Sequence, residues 1–171
     1  EDVQAALLLL EWRAYPLRAT LRFRGKAKCF DNDTKAYNAI MAGEIVPGDV
    51  IVMRYEGCKG APGMKELMLS NDALVAKGLH KSVGLVTDAR FSGFSHGALV
   101  GHVDPEAYDG GNIALVEDGD IVSVDTIKGV VELEVSDEVL GLPEHLRTYM
   151  SSGTRRRSDA ALGSEVNRSA K

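Results

Sequence analysis

Cysteine is scarce in this chain: Cys29 and Cys58 are the only two among 171 residues. Two thiols are too few for the disulfide framework of a small secreted domain, and with no CxxC pair they give no support to a zinc or self-contained iron–sulfur site. Positive charge is also in deficit, with 20 Lys plus Arg against 25 Asp plus Glu, a net charge of -5 and a pI near 5.4. Such a balance provides no basic field for a phosphate backbone, so nucleic acid is not an expected partner. Long apolar runs are missing too. The longest, Ala5 to Leu10, falls far short of the roughly 20 residues a membrane span needs. With neither a span nor a signal peptide visible, a reducing, cytoplasmic setting is expected. Three catalytic signatures are absent as well. The sequence has no Gly-x-Ser-x-Gly elbow, no Gly-Lys-Ser/Thr ending of a phosphate loop, and no dinucleotide glycine spacing.

What is present is glycine, 18 residues of it, against 6% aromatics. Many of the glycines crowd between Gly57 and Gly119, so loops there carry unusual weight. An apolar fraction of 44% suffices for one globular core at this length. Three segments emerge: residues 1–25, poorly patterned; residues 26–142, a single domain; and residues 143–171, a Ser-rich tail with Arg155, Arg156 and Arg157, read as solvated.

The first segment suggests a helix turn at Leu7 to Leu10, interrupted by Pro16. Within the domain, Ala27 to Phe30 reads as a strand. A helix follows, capped by Asp31 or Asp33, with Ala36, Tyr37, Ile40 and Met41 on one face and Gly43 as its stop. Val46-Pro47-Gly48-Asp49 is a tight turn leading into a strand at Val50 to Tyr55. Met64 to Lys77 carries a helical pattern that ends at Gly78. Ser82 to Thr87 reads as a strand buried on both faces, and short strands follow at Ile113 to Val116, Ile121 to Asp125 and Val130 to Val135. The class is therefore mixed α/β, a barrel-like β core flanked by helices and not a doubly wound parallel sheet.

Three loops hold the chemistry-bearing residues: Arg54 to Glu66, Thr87 to Gly93, and Gly101 to Ala107. Ser92 is a weak acid that serves as a base only where an alkoxide is stabilised by backbone N–H groups, a cation or a metal; Gly93 and Arg90 offer the first two. A Ser-Gly turn also arises with no function. Glu66, expected in the first turn of a helix, is favoured there by the helix dipole alone, yet a carboxylate at a glycine-rich loop is also a natural Mg²⁺ ligand. Ser92 with His96 or His102 and Asp88 offers a superficial hydrolase triad. Cys29, in a strand, reads as a small core residue.

Arg54-Tyr55-Glu56-Gly57, Lys59-Gly60, Pro62-Gly63-Met64 with Glu66, then Thr87-Asp88 and Arg90-Phe91-Ser92-Gly93 resemble the C-terminal domain of the dihydroxy-acid dehydratase and 6-phosphogluconate dehydratase family. Gly101-His102-Val103, Pro105-Glu106-Ala107, Gly110-Gly111 and Ile113 to Asp120 look more like its dihydroxy-acid branch. The likeness runs from about Lys26 to Asp125. It departs from the pattern at Cys58, where the family usually has Pro, and at Ala89, where Gly is frequent.

The resemblance implies a swivelling β/β/α domain and a hydro-lyase that turns a 2,3-dihydroxy carboxylic acid into a 2-keto acid, as in branched-chain amino-acid biosynthesis, using Mg²⁺ and an iron–sulfur cluster. It implies Ser92 as the base at C2 and Glu66 as a Mg²⁺ ligand. It further implies an N-terminal domain holding the cluster cysteines and the other Mg²⁺ ligands, for which 171 residues leave no room. The expectation is a detached or truncated C-terminal domain, inactive alone, partnered by an N-terminal dehydratase domain or by copies of itself. The alternatives are a non-catalytic binding or assembly module that keeps the barrel, and an independent serine hydrolase.

Overall fold

The computed structural model describes residues 5–7, 22–125 and 130–134. The strands are β1 (Ala5–Leu7), β2 (Arg22–Phe30), β3 (Asp49–Met53), β4 (Glu66–Leu67), β5 (Gly84–Thr87), β6 (Arg90–Phe91), β7 (Ala98–Val100), β8 (Ile121–Asp125) and β9 (Val130–Leu133). The helices are α1 (Asp33–Ala42) and α2 (Leu69–Ala76), with two 3₁₀ turns at Ala107–Asp109 and Asn112–Leu115. Seven strands form one sheet in the order β1-β9-β8-β2-β3-β5-β7, while β4 and β6 make a separate pair.

The sheet is of two kinds. Strands β2, β3, β5 and β7 run parallel to one another, whereas β2–β8, β8–β9 and β9–β1 pair antiparallel. All five residues of β3 and all four of β5 are buried, as apolar runs covered on both faces require. Their side chains alternate between two cores. Val50, Val52 and Val86 join Val122, Val124, Val131 and Leu133 from the antiparallel wing. Ile51, Met53 and Leu85 join Ala36, Ala39 and Ile40 of α1 and Ala73 and Leu74 of α2. Because the antiparallel wing folds over the face opposite the helices, the sheet curls into a half-barrel, in accord with the mixed class expected. Its parallel centre goes beyond what the short, hairpin-like strand spacing implied.

Several local expectations hold. Gly43 caps α1 with φ of 81°, a left-handed position suited to glycine. The Val46–Asp49 turn closes with Asp49 N–H on the Val46 carbonyl at 3.1 Å. Three others need correction. The cap of α1 is Asn32, whose side chain accepts from Lys35 N–H at 2.9 Å; Asp31 instead pairs with Arg54 at 2.8 Å. Ile113 to Val116 is not a strand but largely a 3₁₀ turn. Residues three apart eclipse in that geometry, which sends both Ile113 and Val116 into the core. The helix expected from Met64 begins only at Leu69, preceded by β4. Of the helix turn expected at Leu7 to Leu10, only Leu7 is described, as the end of β1. The Arg155–Arg157 tail lies outside the described residues.

Candidate active site

Parallel strands deliver their following loops to one edge of a sheet. The segment Arg54–Met64 follows β3, Asp88–Ala89 follows β5 and Gly101–Glu106 follows β7, so all three glycine-rich loops gather at the carboxyl ends of the parallel strands, the usual location of a ligand crevice in such sheets.

Two buried carboxylates knit these loops. Asp88 is 2% exposed and accepts Tyr55 N–H at 3.1 Å, Glu56 N–H at 3.1 Å and Ala107 N–H at 2.9 Å. Glu106, 8% exposed, accepts Lys59 N–H at 2.9 Å and Gly60 N–H at 3.3 Å. Gly57 has to be glycine in this arrangement, since a Cβ there would overlap the Glu106 carboxylate. At the surface, Lys59 Nζ meets Asp109 at 2.6 Å, and that hydrogen bond holds the ammonium pKa above its ordinary value. Sequence reasoning missed Glu106 and the latching role of Asp88. The Pro105-Glu106-Ala107 motif marked the segment, but nothing in it named backbone amides as the partners.

Glu66 and Ser92 sit on or beside the small β4–β6 pair. In this parallel ladder Glu66 is the register partner of Arg90, and Leu67 of Phe91. Register partners present their side chains to the same face, and alternate residues share a face. Leu67 and Phe91 turn toward the helix-side core. Glu66 and Arg90 take the exposed face, and half-buried Ser92 follows β6 directly. The backbone explains why residues 64–67 do not begin the helix. Met64 has φ of 43°, its carbonyl accepts Arg90 Nε–H at 2.8 Å, and residues 66–67 are engaged by β6. Glu66 therefore does not stand in a helix's first turn as the pattern suggested. The Ser92 hydroxyl accepts Phe94 N–H at 3.4 Å, and the loop behind it is fastened to α2 by Asn71, which bonds His96 through both amide atoms at 2.9 and 3.1 Å.

This arrangement is not a hydrolase triad. Asp88 spends its oxygens on three backbone amides, and among the described residues no hydrogen bond links Ser92 to His96 or His102. Nor do the described residues hold three or more His, Cys, Asp or Glu side chains grouped for a metal. Glu66 offers a single carboxylate donor, where Mg²⁺ takes roughly six oxygen ligands. As a hard oxygen donor it is chemically suited to that ion, but the described residues alone do not make up its ligand set. An iron–sulfur cluster does not fit the residues present. Cys29 is half-buried in β2 with its thiol on the Val116 carbonyl at 3.3 Å, as a packed core thiol. Cys58 is exposed, its nearest bonding partner the Met64 thioether at 3.5 Å.

The family profile described as dihydroxy-acid/6-phosphogluconate dehydratase C-terminal matches residues 14–164. The chain belongs to this family. It is 55% identical over 120 residues to the dihydroxy-acid dehydratase of Pyrobaculum calidifontis, covering 70% of this chain and 21% of that protein. With dihydroxy-acid dehydratase 3 of Aromatoleum aromaticum the identity is 56% over 116 residues, covering 68% and 20%. With the Chloroflexus aggregans dihydroxy-acid dehydratase it is 44% over 153 residues, covering 84% and 27%. The chain thus spans about a fifth to just over a quarter of these relatives. A domain of the dehydratase type is consistent with the α/β half-barrel, and among the described residues no helix is long and apolar enough to cross a membrane.

Proposed function

We propose that this chain forms the C-terminal part of a hydro-lyase that dehydrates a 2,3-dihydroxy carboxylic acid to a 2-keto acid, with Ser92 as the base and Glu66 as a Mg²⁺ ligand. The observation that carries the reading is the β4–β6 ladder, which pairs Glu66 with Arg90, two residues before Ser92. Ser92 Oγ, as the alkoxide, takes the proton from C2. The electron pair released forms the C2–C3 double bond as the C3 hydroxyl departs, and the resulting enol tautomerises to the ketone; the net loss is one water. The Arg90 guanidinium and the uncovered backbone at Gly93 favour negative charge on the serine oxygen. Glu66 would be one ligand of a Mg²⁺ ion, which would supply positive charge beside C2 and so acidify its proton. The departing C3 hydroxyl is assigned to none of the described residues. Its activation, with the cluster, belongs in this reading to the polypeptide that makes up the rest of the relatives' length.

The chain alone is accordingly expected to be inactive. The experiment adds the remaining N-terminal portion of the Pyrobaculum calidifontis relative, reconstituted with iron and sulfide, and follows 2-keto acid formation from 2,3-dihydroxyisovalerate. Turnover should need both pieces and should vanish with Ser92→Ala or Glu66→Gln. Full activity of the complemented Ser92→Ala variant would refute the assignment. A second reading, a binding or assembly module without catalysis, is favoured by Phe94, which is 90% exposed beside Ser92. It predicts the same Mg²⁺ response in wild type and Glu66→Ala, whereas the dehydratase reading predicts loss. Cys29 and Cys58 are both free thiols, which suits the cytoplasmic setting we propose.

A further inference from the structure

Among the described residues, every arginine but one is paired with a carboxylate. Of the four described arginines, Arg22, Arg24 and Arg54 each hold a carboxylate, of Asp125, Glu134 and Asp31, at 2.6 to 3.1 Å. Arg90 holds none among the described residues, although Glu66 is its register partner. Among the described residues, its hydrogen bond runs from Nε–H to the Met64 carbonyl at 2.8 Å. A guanidinium carries five N–H donors in a fixed planar fork, and it matches a carboxylate bidentately. The Nε tether restrains the plane of that fork, and Arg90 remains exposed beside its register partner Glu66, two residues before Ser92.

We propose that Arg90 is the anion anchor of this site and binds the carboxylate of a small 2-hydroxy acid through its terminal edge. The choice of ligand rests on the dehydratase reading; the preference for a carboxylate rests on Arg90 itself. The site then offers three complementary groups: a fixed cation for the acid, a carboxylate ligand for a divalent cation, and a hydroxyl for the carbon between them. A guanidinium neutralised by Glu66 would serve neither ion, so the lack of an ion pair between register partners of opposite charge is what this arrangement needs. Arg90 contributes in a second way, because its Nε bond ties the loop bearing Glu66 to the strand leading to Ser92.

The test is a nitrogen-15 NMR titration of the full chain with 2,3-dihydroxyisovalerate, with its neutral methyl ester, and with acetate, at low salt without Mg²⁺. The acid should shift the Arg90 Nε–H and the Ser92 and Gly93 amides saturably, and the ester should not. Arg90→Gln should weaken binding about tenfold or more, the size of a lost hydrogen bond to a charged group. Arg90→Lys, which keeps the charge but loses the fork, should fall between. Amide shifts in β3 and β5 report whether each variant keeps the fold. The anchor is overturned if the ester binds as well as the acid, if no acid binds, or if Arg90→Gln and Arg90→Lys bind as wild type does. Acetate acting as strongly as the dihydroxy acid would keep the anchor and count against the dihydroxy-acid reading. Selective binding of the dihydroxy acid that ignores both Arg90 variants would keep that reading and remove the anchor.

Discussion

The Asp88 carboxylate is almost fully enclosed and accepts three backbone N–H groups. Hydrogen bonds to a charged acceptor contribute more than neutral ones, and a buried N–H stripped of its acceptor costs about 1–3 kcal/mol. Asp88→Ala strips three donors at once, so it should lower unfolding free energy by about 3 kcal/mol or more. Asp88→Asn, which keeps one carbonyl oxygen, should cost distinctly less; urea denaturation of the two variants checks the order. Cys29 makes a different residue-level prediction. Burial pushes its thiol pKa up to about 12, against a countering pull from Arg54. A folded pKa raised above the unfolded value of 9.0 means the native state holds the proton more tightly. The stability this confers is therefore complete below that value and is lost as pH rises from about 9 through about 12. At pH 8, iodoacetamide followed by peptide mass spectrometry should find exposed Cys58 alkylated and Cys29 untouched. Substituting Cys29→Ala should flatten the alkaline loss of stability.

Secondary elements were legible in the sequence where burial was uniform or a cap had one conformation to satisfy. Strands β3 and β5 announce themselves as apolar runs, and Gly43 marks the end of α1. The β4–β6 pair was hidden, because its two strands are two residues long and each depends on the other for its backbone partners. The start of α2 was misplaced for a related reason. Its N-cap residue Met68 has no capping side chain, and the cap comes from another element. Asp33, in the first turn of α1, accepts Met68, Leu69 and Ser70 N–H groups at 3.3, 3.1 and 2.9 Å. A carboxylate that caps a helix more than thirty residues later leaves no local signature. Asp33→Ala should therefore destabilise the fold by about 1–2 kcal/mol, the upper range for loss of a helix cap. Hydrogen exchange should accelerate at Leu69 and Ser70, while the amides in the middle of α1 keep their protection. Equal acceleration along both helices would instead mean that Asp33 supports the packing of α1, not the entry to α2.

At the scale of the molecule, strand-following positions already suggested that the three loops open at one end of the core, but the β4–β6 ladder was not readable. Ser92 and Glu66 were singled out by their loops. The ladder pairs Glu66 with Arg90, two residues before Ser92, across segments separated by a whole helix and a strand of the main sheet. The same topology decides what the loop-bearing end shows to solvent: Phe94 at 90% exposure and Tyr108 at 64%, both on segments adjoining the latched loops. Large apolar side chains left uncovered at the end that bears the site are a surface for association. The chain spans about a fifth to just over a quarter of its relatives, and we propose that these side chains would face the remaining polypeptide. Given no such partner, the isolated chain should associate with itself as its concentration rises. The double variant Phe94→Ser, Tyr108→Ser should sediment as the 18.4 kDa monomer, with unfolding free energy within about 0.5 kcal/mol of wild type, as expected for exposed positions. Unchanged association would shift attention to the exposed Met68 and Leu69 at the start of α2. An accompanying fall in stability would show instead that the aromatics hold the loops together.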